Sequence, residues 1–324
     1  MTAIRNCVRK SMKPDGPAKI LSFFWDGNFD LHLTNTGHEF YGIPTTAALG
    51  WKPRVPEEDY HKNLTLLPAS FGSSKHALEF DFILCNERIK GYDLAKNFSH
   101  ALHVPLVIVD HGAPLKQFSA TDTQVLKESR WAVGYVGCNE VAVKEWEDDI
   151  LIEECVCHIE PAEERPINVL LAGKFIEHEH GIVNSIASGI ENCLIKGENE
   201  GLSEDFASWE ETATDFSESK IFVHLSTNMT VPRTLKLAME AGCAIITTRT
   251  TPIDALLKHD ESAIFIKNAD EIVPAVKGLL SHDSKRIELG EAAKKISRQR
   301  FGIDKFTASW SQFIEQIRSE IYLR

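Results

Sequence analysis

The segment Val104–Val109 is apolar at every position. It is too short to cross a membrane and too uniformly apolar for a strand with one wet face. Such a run fits a strand covered on both faces, and strands of that kind belong to parallel sheets flanked by helices. Its neighbours repeat the theme. Ile20–Trp25 and Phe80–Cys85 are further strand candidates, and Phe23, Phe24 and Trp25 read as core. Tyr92–His103 carries Leu94, Phe98, Ala101 and Leu102 on one helical face, and Thr121–Glu128 and Ala132–Val136 add a helix and a strand. Strands alternating with helices predict an open α/β sheet.

The rhythm restarts at Ile167–Ala172. A helix over 181–190, strands at Cys193–Ile195 and Ile221–Leu225, and a helix at Pro232–Ala241 closed by Gly242 follow. Pro suits a helix's first turn and Gly its end. Cys243–Thr247 and Ala263–Ile266 complete the strands, and 270–280 and 284–299 read as helices. Residues 139–165, rich in Asp and Glu and running into PAEERP, read as a linker. A chain of 324 residues is long enough for two domains. The last helix bears a stripe of Phe306, Trp310, Phe313, Ile314 and Ile317. Core packing explains that stripe, and the helix is a candidate to cross back to the first domain.

Composition narrows the class. With 43% hydrophobic and 25% charged residues the chain is globular rather than disordered. No apolar run approaches a membrane span, and no apolar core follows the basic N-terminus as in a secretory signal. Seven scattered cysteines suit reduced thiols and a cytoplasmic setting. Cys155, Cys157 and His158 invite a zinc reading, but no second pair at ligand spacing follows, and buried reduced cysteines are the plainer account. The net charge of −12 is uneven. Residues 1–130 hold 15 Lys and Arg against 14 Asp and Glu, with seven of the 13 histidines; 131–324 hold 20 against 33. A near-neutral first half permits an anionic acceptor without demonstrating one.

Open α/β sheets bind ligands beyond the carboxyl ends of their strands. That singles out Asp26-Gly27-Asn28, which reads as a turn, with Asn86, Asp110-His111-Gly112, Gly173-Lys174 and Ser226-Thr227-Asn228. The chain has no Gly-x-Gly-x-x-Gly, phosphate-binding P-loop or Gly-x-Ser-x-Gly motif. It also has no Asp-x-Asp, so a carboxylate-held divalent metal has no evident seat. The helix that starts near Thr230-Val-Pro-Arg233 offers N–H groups, a dipole and a guanidinium, a good seat for a diphosphate. A capped helix with a surface Arg is the bland alternative. Lys174, after a Gly that lets a ligand approach, is a second candidate cation. Two cations and a helix start can stabilise a departing diphosphate without metal.

Here a resemblance enters. "NVLLAGKF…EHG", "LKLAMEAGCAIITTRTTPIDALLKHDESAIFI" and "DEIVPAVKGLLSHDSKRIELGEAAKK" resemble the donor-binding domain of GT-B glycosyltransferases of the mostly retaining group 1 class. "CVCHIEPAEE" takes the place of that family's interdomain segment. "FDLHLTNTGHEFYGI", "YDLAKNFSHALHVPLVIVDHGAP" and "LKESRWAVGYVGCNEVAVKEW" resemble a phage and bacterial branch.

The resemblance implies two Rossmann-like domains facing a cleft. Residues 1–160 would be the acceptor side, 161–305 the nucleotide-sugar side and 306–324 the C-terminal helix. It implies transfer of a sugar from a nucleotide-diphosphate donor, a UDP-sugar foremost, to a hydroxyl acceptor, with no metal or cofactor and with retained configuration. Gly173, Lys174, His180, Ser226, Thr227, Thr230, Arg233 and Glu240 would bind the donor. Gly27 and Asn28 would approach it from the first domain. Asp110 and His111 would stand by the anomeric carbon, with Asp26 a second candidate base; Asp110 as a loop cap and His111 as polar surface are the plain alternatives. His38, Glu39 and Tyr41 form a candidate acceptor-side loop.

The departures matter. The family's paired glutamates fall at Met229 and Leu237, its second cation at His180 and its strand-opening Pro at Ala244. Glu240, one turn beyond Leu237, is a candidate substitute for the ribose contact. The acceptor stays open between a glycan, a lipid-linked or protein group, and a hydroxymethylated base of phage DNA. A non-catalytic sugar-nucleotide binder and a GT-B-fold epimerase stand as rival readings.

Overall fold

The computed structural model describes residues 15–24, 27–44, 62–68, 79–86, 88–112, 119–128, 132–173, 180–197, 208–225 and 230–323. The chain divides into two compact units, 1–155 with 303–324, and 156–302.

Unit 1 runs β1 (Lys19–Phe24), α1 (Gly27–Thr34), β2 (Glu39–Pro44), β3 (Leu64–Leu66), β4 (Phe82–Cys85), α2 (Arg88–Leu102) and β5 (Leu106–Asp110). It continues with α3 (Ala120–Glu128), β6 (Gly134–Gly137), α4 (Glu140–Trp146) and β7 (Ile150–Leu151). Among the described residues the strands form one parallel sheet, ordered β3-β2-β1-β4-β5-β6-β7. The uniform apolarity of β5 has the expected cause, since it is buried throughout. Its alternate residues feed two cores: Val107 and Val109 pack with Ile20, Phe82 and Leu84, while Leu106 and Ile108 pack with Leu21, Phe23 and Ile83.

Three local expectations are corrected. Gly27 and Asn28 open helix α1 rather than forming a turn. The 38–41 segment is no loop: Glu39–Pro44 is a strand paired with β1, and Phe40 is wholly buried. The acidic stretch 139–165 is only in part a linker, because it contains α4 and β7. Asn139 caps α4 by accepting from the Ala142 N–H at 2.8 Å, and Ala142 and Trp146 turn inward while Glu140 and Glu145 stay exposed. So few inward positions hide a helix from a periodicity reading.

Unit 2 runs β8 (Ile167–Ala172), α5 (His180–Gly189), β9 (Cys193–Lys196), α6 (Trp209–Ser217), β10 (Ser219–His224) and α7 (Arg233–Glu240). Then come β11 (Ala244–Thr248), α8 (Thr251–Leu256), β12 (Ile264–Ile266), α9 (Ile272–Ser281) and α10 (Asp283–Phe301). Its parallel sheet has the order β12-β11-β10-β8-β9. The tail end of α7 is closed by Arg165, which donates to the carbonyls of Ala241 at 2.8 Å and of Gly242 and Ser219 at 3.0 Å. A cation there also suits the negative end of the helix dipole. Helix α10 crosses this turn so closely that a Cβ on Gly290 would stand 2.3 Å from the Gly242 carbonyl oxygen.

The last helix, α11 (Ile303–Leu323), belongs to unit 1, as the apolar stripe led one to expect. Phe306, Trp310, Phe313, Ile314 and Ile317 are buried in the same core as Ile20, Phe29 and Val136. The helix is fastened by polar contacts as well. Arg318 donates to the Gly16 carbonyl at 2.6 Å, and the Tyr322 hydroxyl donates to Asp81 at 2.7 Å. No helix among the described residues is long and apolar enough to cross a membrane.

Candidate functional site

In each sheet the strand order reverses at one place, between β1 and β4 in unit 1 and between β8 and β10 in unit 2. Loops leaving such neighbours run to opposite faces and open a crevice, where ligands of doubly wound sheets bind.

At the unit 2 switch point the chain leaves β8 through Gly173, whose φ of +144° is one that side-chain-bearing residues rarely adopt. Its N–H donates to the Lys196 carbonyl at 3.1 Å, and a Cβ built on it would lie 4.0 Å from the Thr234 hydroxyl. The end of β8 therefore sits against the first turn of α7. That helix opens at Pro232 with no side chain capping it, and Lys236 is the residue whose N–H returns to the Pro232 carbonyl, at 3.2 Å. The N–H groups of the first turn and the positive end of the dipole thus meet the crevice beside Arg233. Thr230 is half-buried just ahead of the turn, and His180, also half-buried, begins α5. Lys174, Ser226 and Thr227 lie outside the described residues.

Sequence reasoning passed over three groups at this edge. His224, the last residue of β10, is pushed down to about 4 by burial and stands neutral. The hydroxyls of Thr248 and Thr250, where β11 ends, are buried with no hydrogen-bond partner. The run TTRTT across the end of β11 was their visible signal. Glu240 occupies the other end of α7 from Arg233, where its carboxylate meets His158 at 3.0 Å and Arg298 at 3.2 Å.

In unit 1, β5 delivers Asp110 into a buried cluster. Arg88 holds it through Nε at 3.0 Å and Nη2 at 2.7 Å, and the same Nη2 reaches Asp148 at 2.8 Å. The guanidinium lies 5.0 Å from the Tyr135 ring centre and 4.6 Å from that of Trp146. Two carboxylates share one cation out of water. Burial pushes Asp110 up against the pull of Arg88. Burial first, and the charge of Asp110 next, push Asp148 up to about 8.

His111, the next residue, is fixed from several directions. Its Nδ1 is 2.6 Å from a Glu154 oxygen, and its ring meets Phe29 edge-on at 4.7 Å. Its carbonyl accepts from Asn139 at 2.8 Å, and Trp146 donates to the Gly112 carbonyl at 2.8 Å. Burial works to lower the imidazole, but the Cys138 sulfur and the Glu154 carboxylate outweigh it and hold the group well above its usual value. The shift favours the protonated form of His111, which donates rather than accepts. Asn86, at the end of β4, donates to Asp30 at 2.5 Å and to Ser22 at 3.1 Å, tying α1 to the switch point at which Gly27 and Asn28 begin it. Asp26 lies outside the described residues.

The remaining candidates sit elsewhere. His38 precedes β2 at the amino edge of the sheet, where its Nδ1 accepts from the Ala18 N–H at 3.1 Å and burial lowers it. Tyr41 donates to Glu39 at 3.0 Å. The structure does not bring this trio to Asp110 and His111, which close β5 at the opposite edge. Cys155 lies 3.0 Å from His32, whereas His158 is bonded to Glu160 and Glu240 in the other unit.

Comparison with known proteins supplies context. Residues 175–310 match a family model described as glycosyl transferase-like. No curated protein sequence matches the chain. Among solved structures, HepE of Anabaena bound to UDP-glucose is similar at a TM-score of 0.71 and 14% identity, over 92% of this chain and 100% of that one. A sucrose-phosphate synthase of Thermosynechococcus elongatus gives 0.71 and 12%, over 94% and 100%. A glycosyltransferase of Rickettsia africae gives 0.63 and 12%, over 93% and 99%. At these identities the likeness is one of fold, and the fold is GT-B.

Proposed function

We propose, for a chain that is a GT-B glycosyltransferase of the group 1 class, that it moves a sugar from a UDP-linked donor to a hydroxyl acceptor without a metal ion. The observation that carries this reading is the unit 2 switch point, where Gly173 gives close access to an uncapped helix start beside Arg233. The diphosphate rests on the N–H groups of α7, with Arg233 and Lys174 balancing its charge and His180, Ser226, Thr227 and Thr230 around it. As the glycosidic bond breaks, negative charge grows on the diphosphate oxygen, and fixed donors and cations lower the barrier most where that charge develops. HepE, of the same fold, is solved with UDP-glucose, which favours uridine as the base.

In unit 1 the division of labour follows from protonation. His111 keeps its ring nitrogens inside the cluster with Cys138 and Glu154, and so sets the conformation of the loop that approaches the donor. Asp110 is committed to Arg88 and acts as a positioning residue that fixes the loop carrying His111. Asp26 is then the candidate base for the acceptor proton, with Gly27 and Asn28 beside it. Glu240, engaged by His158 and Arg298, serves the structure of unit 2 rather than the ribose. Configuration is retained.

The test is a thermal-shift panel of UDP, GDP, ADP, CMP, dTDP and their sugar conjugates, in EDTA. At 100 times its Kd a ligand stabilises by about 2.7 kcal/mol. Response to UDP and one UDP-sugar is expected, and silence across the panel overturns the reading in favour of a degenerate donor site. Offering the donor-loaded protein oligosaccharides and hydroxymethylated duplex DNA in parallel separates the acceptor classes.

A further inference from the structure

We propose that His111, Cys138 and Glu154 form a binding site for a thiophilic divalent cation, Zn2+ foremost. The three residues follow three neighbouring strands, β5, β6 and β7, and so meet at one edge of the unit 1 sheet. One ligating atom from each lies within 4.8 Å of the other two. A tetrahedral zinc, with nitrogen and oxygen at about 2.0–2.2 Å and sulfur at about 2.3 Å, holds its ligands roughly 3.2–3.8 Å apart. Adjustments of about 1 Å or less therefore fit the set to an ion, the wider separations closing and the 2.6 Å His111–Glu154 pair opening.

The surroundings prepare the site. Asn139, adjacent to Cys138, caps α4 with its oxygen and holds the His111 carbonyl with its nitrogen, so two of the three ligand-bearing segments are locked together. Phe29 stands edge-on to the imidazole and Trp146 grips the following carbonyl. The Nε2 of His111 is buried with no well-formed hydrogen bond, and the Cys138 thiol is free of any disulfide and 2% exposed. A thiolate and a carboxylate bring two negative charges to a dication, and the ion takes the place of a ring proton of His111, which leaves a neutral imidazole as the third ligand. Sulfur and nitrogen donors select zinc over magnesium or calcium. Three protein ligands leave a fourth position for water.

The probe is Co2+, which takes zinc-like geometry and reports a thiolate ligand by charge-transfer absorption. The full chain, reduced, stripped with EDTA and desalted, is expected to take up one equivalent with that absorption. Zn2+ displaces it and Mg2+ does not. Cys138→Ala removes the absorption, and His111→Ala or Glu154→Gln weakens binding by at least about 100-fold, since even groups outside the ligand shell are worth 10–100-fold. Absence of the band in the native chain, or an undiminished band in Cys138→Ala, overturns the proposal; the latter assigns the metal to other cysteines. Metal-free melting curves of all variants establish folding, and if Cys138→Ala does not fold, Glu154→Gln carries the test. Binding stands independently of sugar transfer: a chain that takes cobalt but no nucleotide loses only the functional reading.

Discussion

Replacing Asp148 by Asn asks whether the Arg88 cluster stores a proton. Arg88, Asp110 and Asp148 have side chains only 2%, 3% and 0% exposed, so one cation faces two carboxylates with almost no water. Burial and the neighbouring Asp110 push Asp148 from 3.8 up to about 8. The folded chain keeps a proton that the unfolded chain releases near pH 4. The stability tied to that proton is complete below about pH 4, and falls by about 1.4 kcal/mol per pH unit until the folded group itself ionises near pH 8. Between pH 5 and 7 the loss reaches about 2.7 kcal/mol, or about 5–11 °C in Tm for a unit of this size. Asparagine keeps the shape and the oxygen that accepts from Arg88, but it takes up no proton. Melting both proteins by near-ultraviolet circular dichroism from pH 5 to 9 cancels what the other carboxylates contribute. The Tm of Asp148→Asn minus that of the native chain should rise from pH 5 to 7 and level off above 8. A difference flat with pH refutes the stored proton.

Arg88→Met leaves the buried Asp110 carboxylate without its cation and should cost about 3–5 kcal/mol in urea unfolding. Gly290→Ala reverses the usual gain of a mid-helix Gly-to-Ala change, because its Cβ would meet the Gly242 carbonyl oxygen at 2.3 Å; a loss of about 1–3 kcal/mol in the same assay is expected. Arg233→Ala should remove a charge-assisted contact worth about 1.5–3 kcal/mol, read calorimetrically as roughly 10–150-fold weaker UDP binding that EDTA leaves unchanged. His224→Leu should lessen acid sensitivity: the native imidazole, pushed down to about 4, takes up its proton only in the unfolded chain between pH 6.5 and 4, so stability falls as pH falls through that window.

Much of the fold was legible because burial on both faces writes continuous apolar runs, as in β5, β8 and β11. Strand β2 escaped because Glu39, Tyr41, Gly42 and Pro44 break that signature within six residues. Helix α1 escaped because it opens on Gly27-Asn28, which locally favours a turn. The candidate site was legible in its loops and opaque in its partners. Asp110 and His111 announced themselves as polar residues after a buried strand. Nothing in the sequence ties them to Arg88, Asp148, Cys138 and Glu154, which lie 22 to 43 positions away along the chain and are joined only by adjacency of strands. The surroundings of Glu240 were hidden in the same way: proximity to Leu237 was visible, but His158, 82 positions earlier, was not.

Unit 1 is assembled from both ends of the described chain, with unit 2 between them. This has a consequence for biosynthesis. A ribosome completes residues 156–302 before it adds Ile303–Leu323, so unit 2 is ready to fold while the apolar wall around Phe29 and Val136 still awaits Trp310 and Phe313. A message cut short before codon 303 yields a chain with a complete unit 2 and an open hydrophobic face, the mark by which quality control finds its substrates. Only readthrough to the final helix hides it, so the fold itself certifies that translation reached that point.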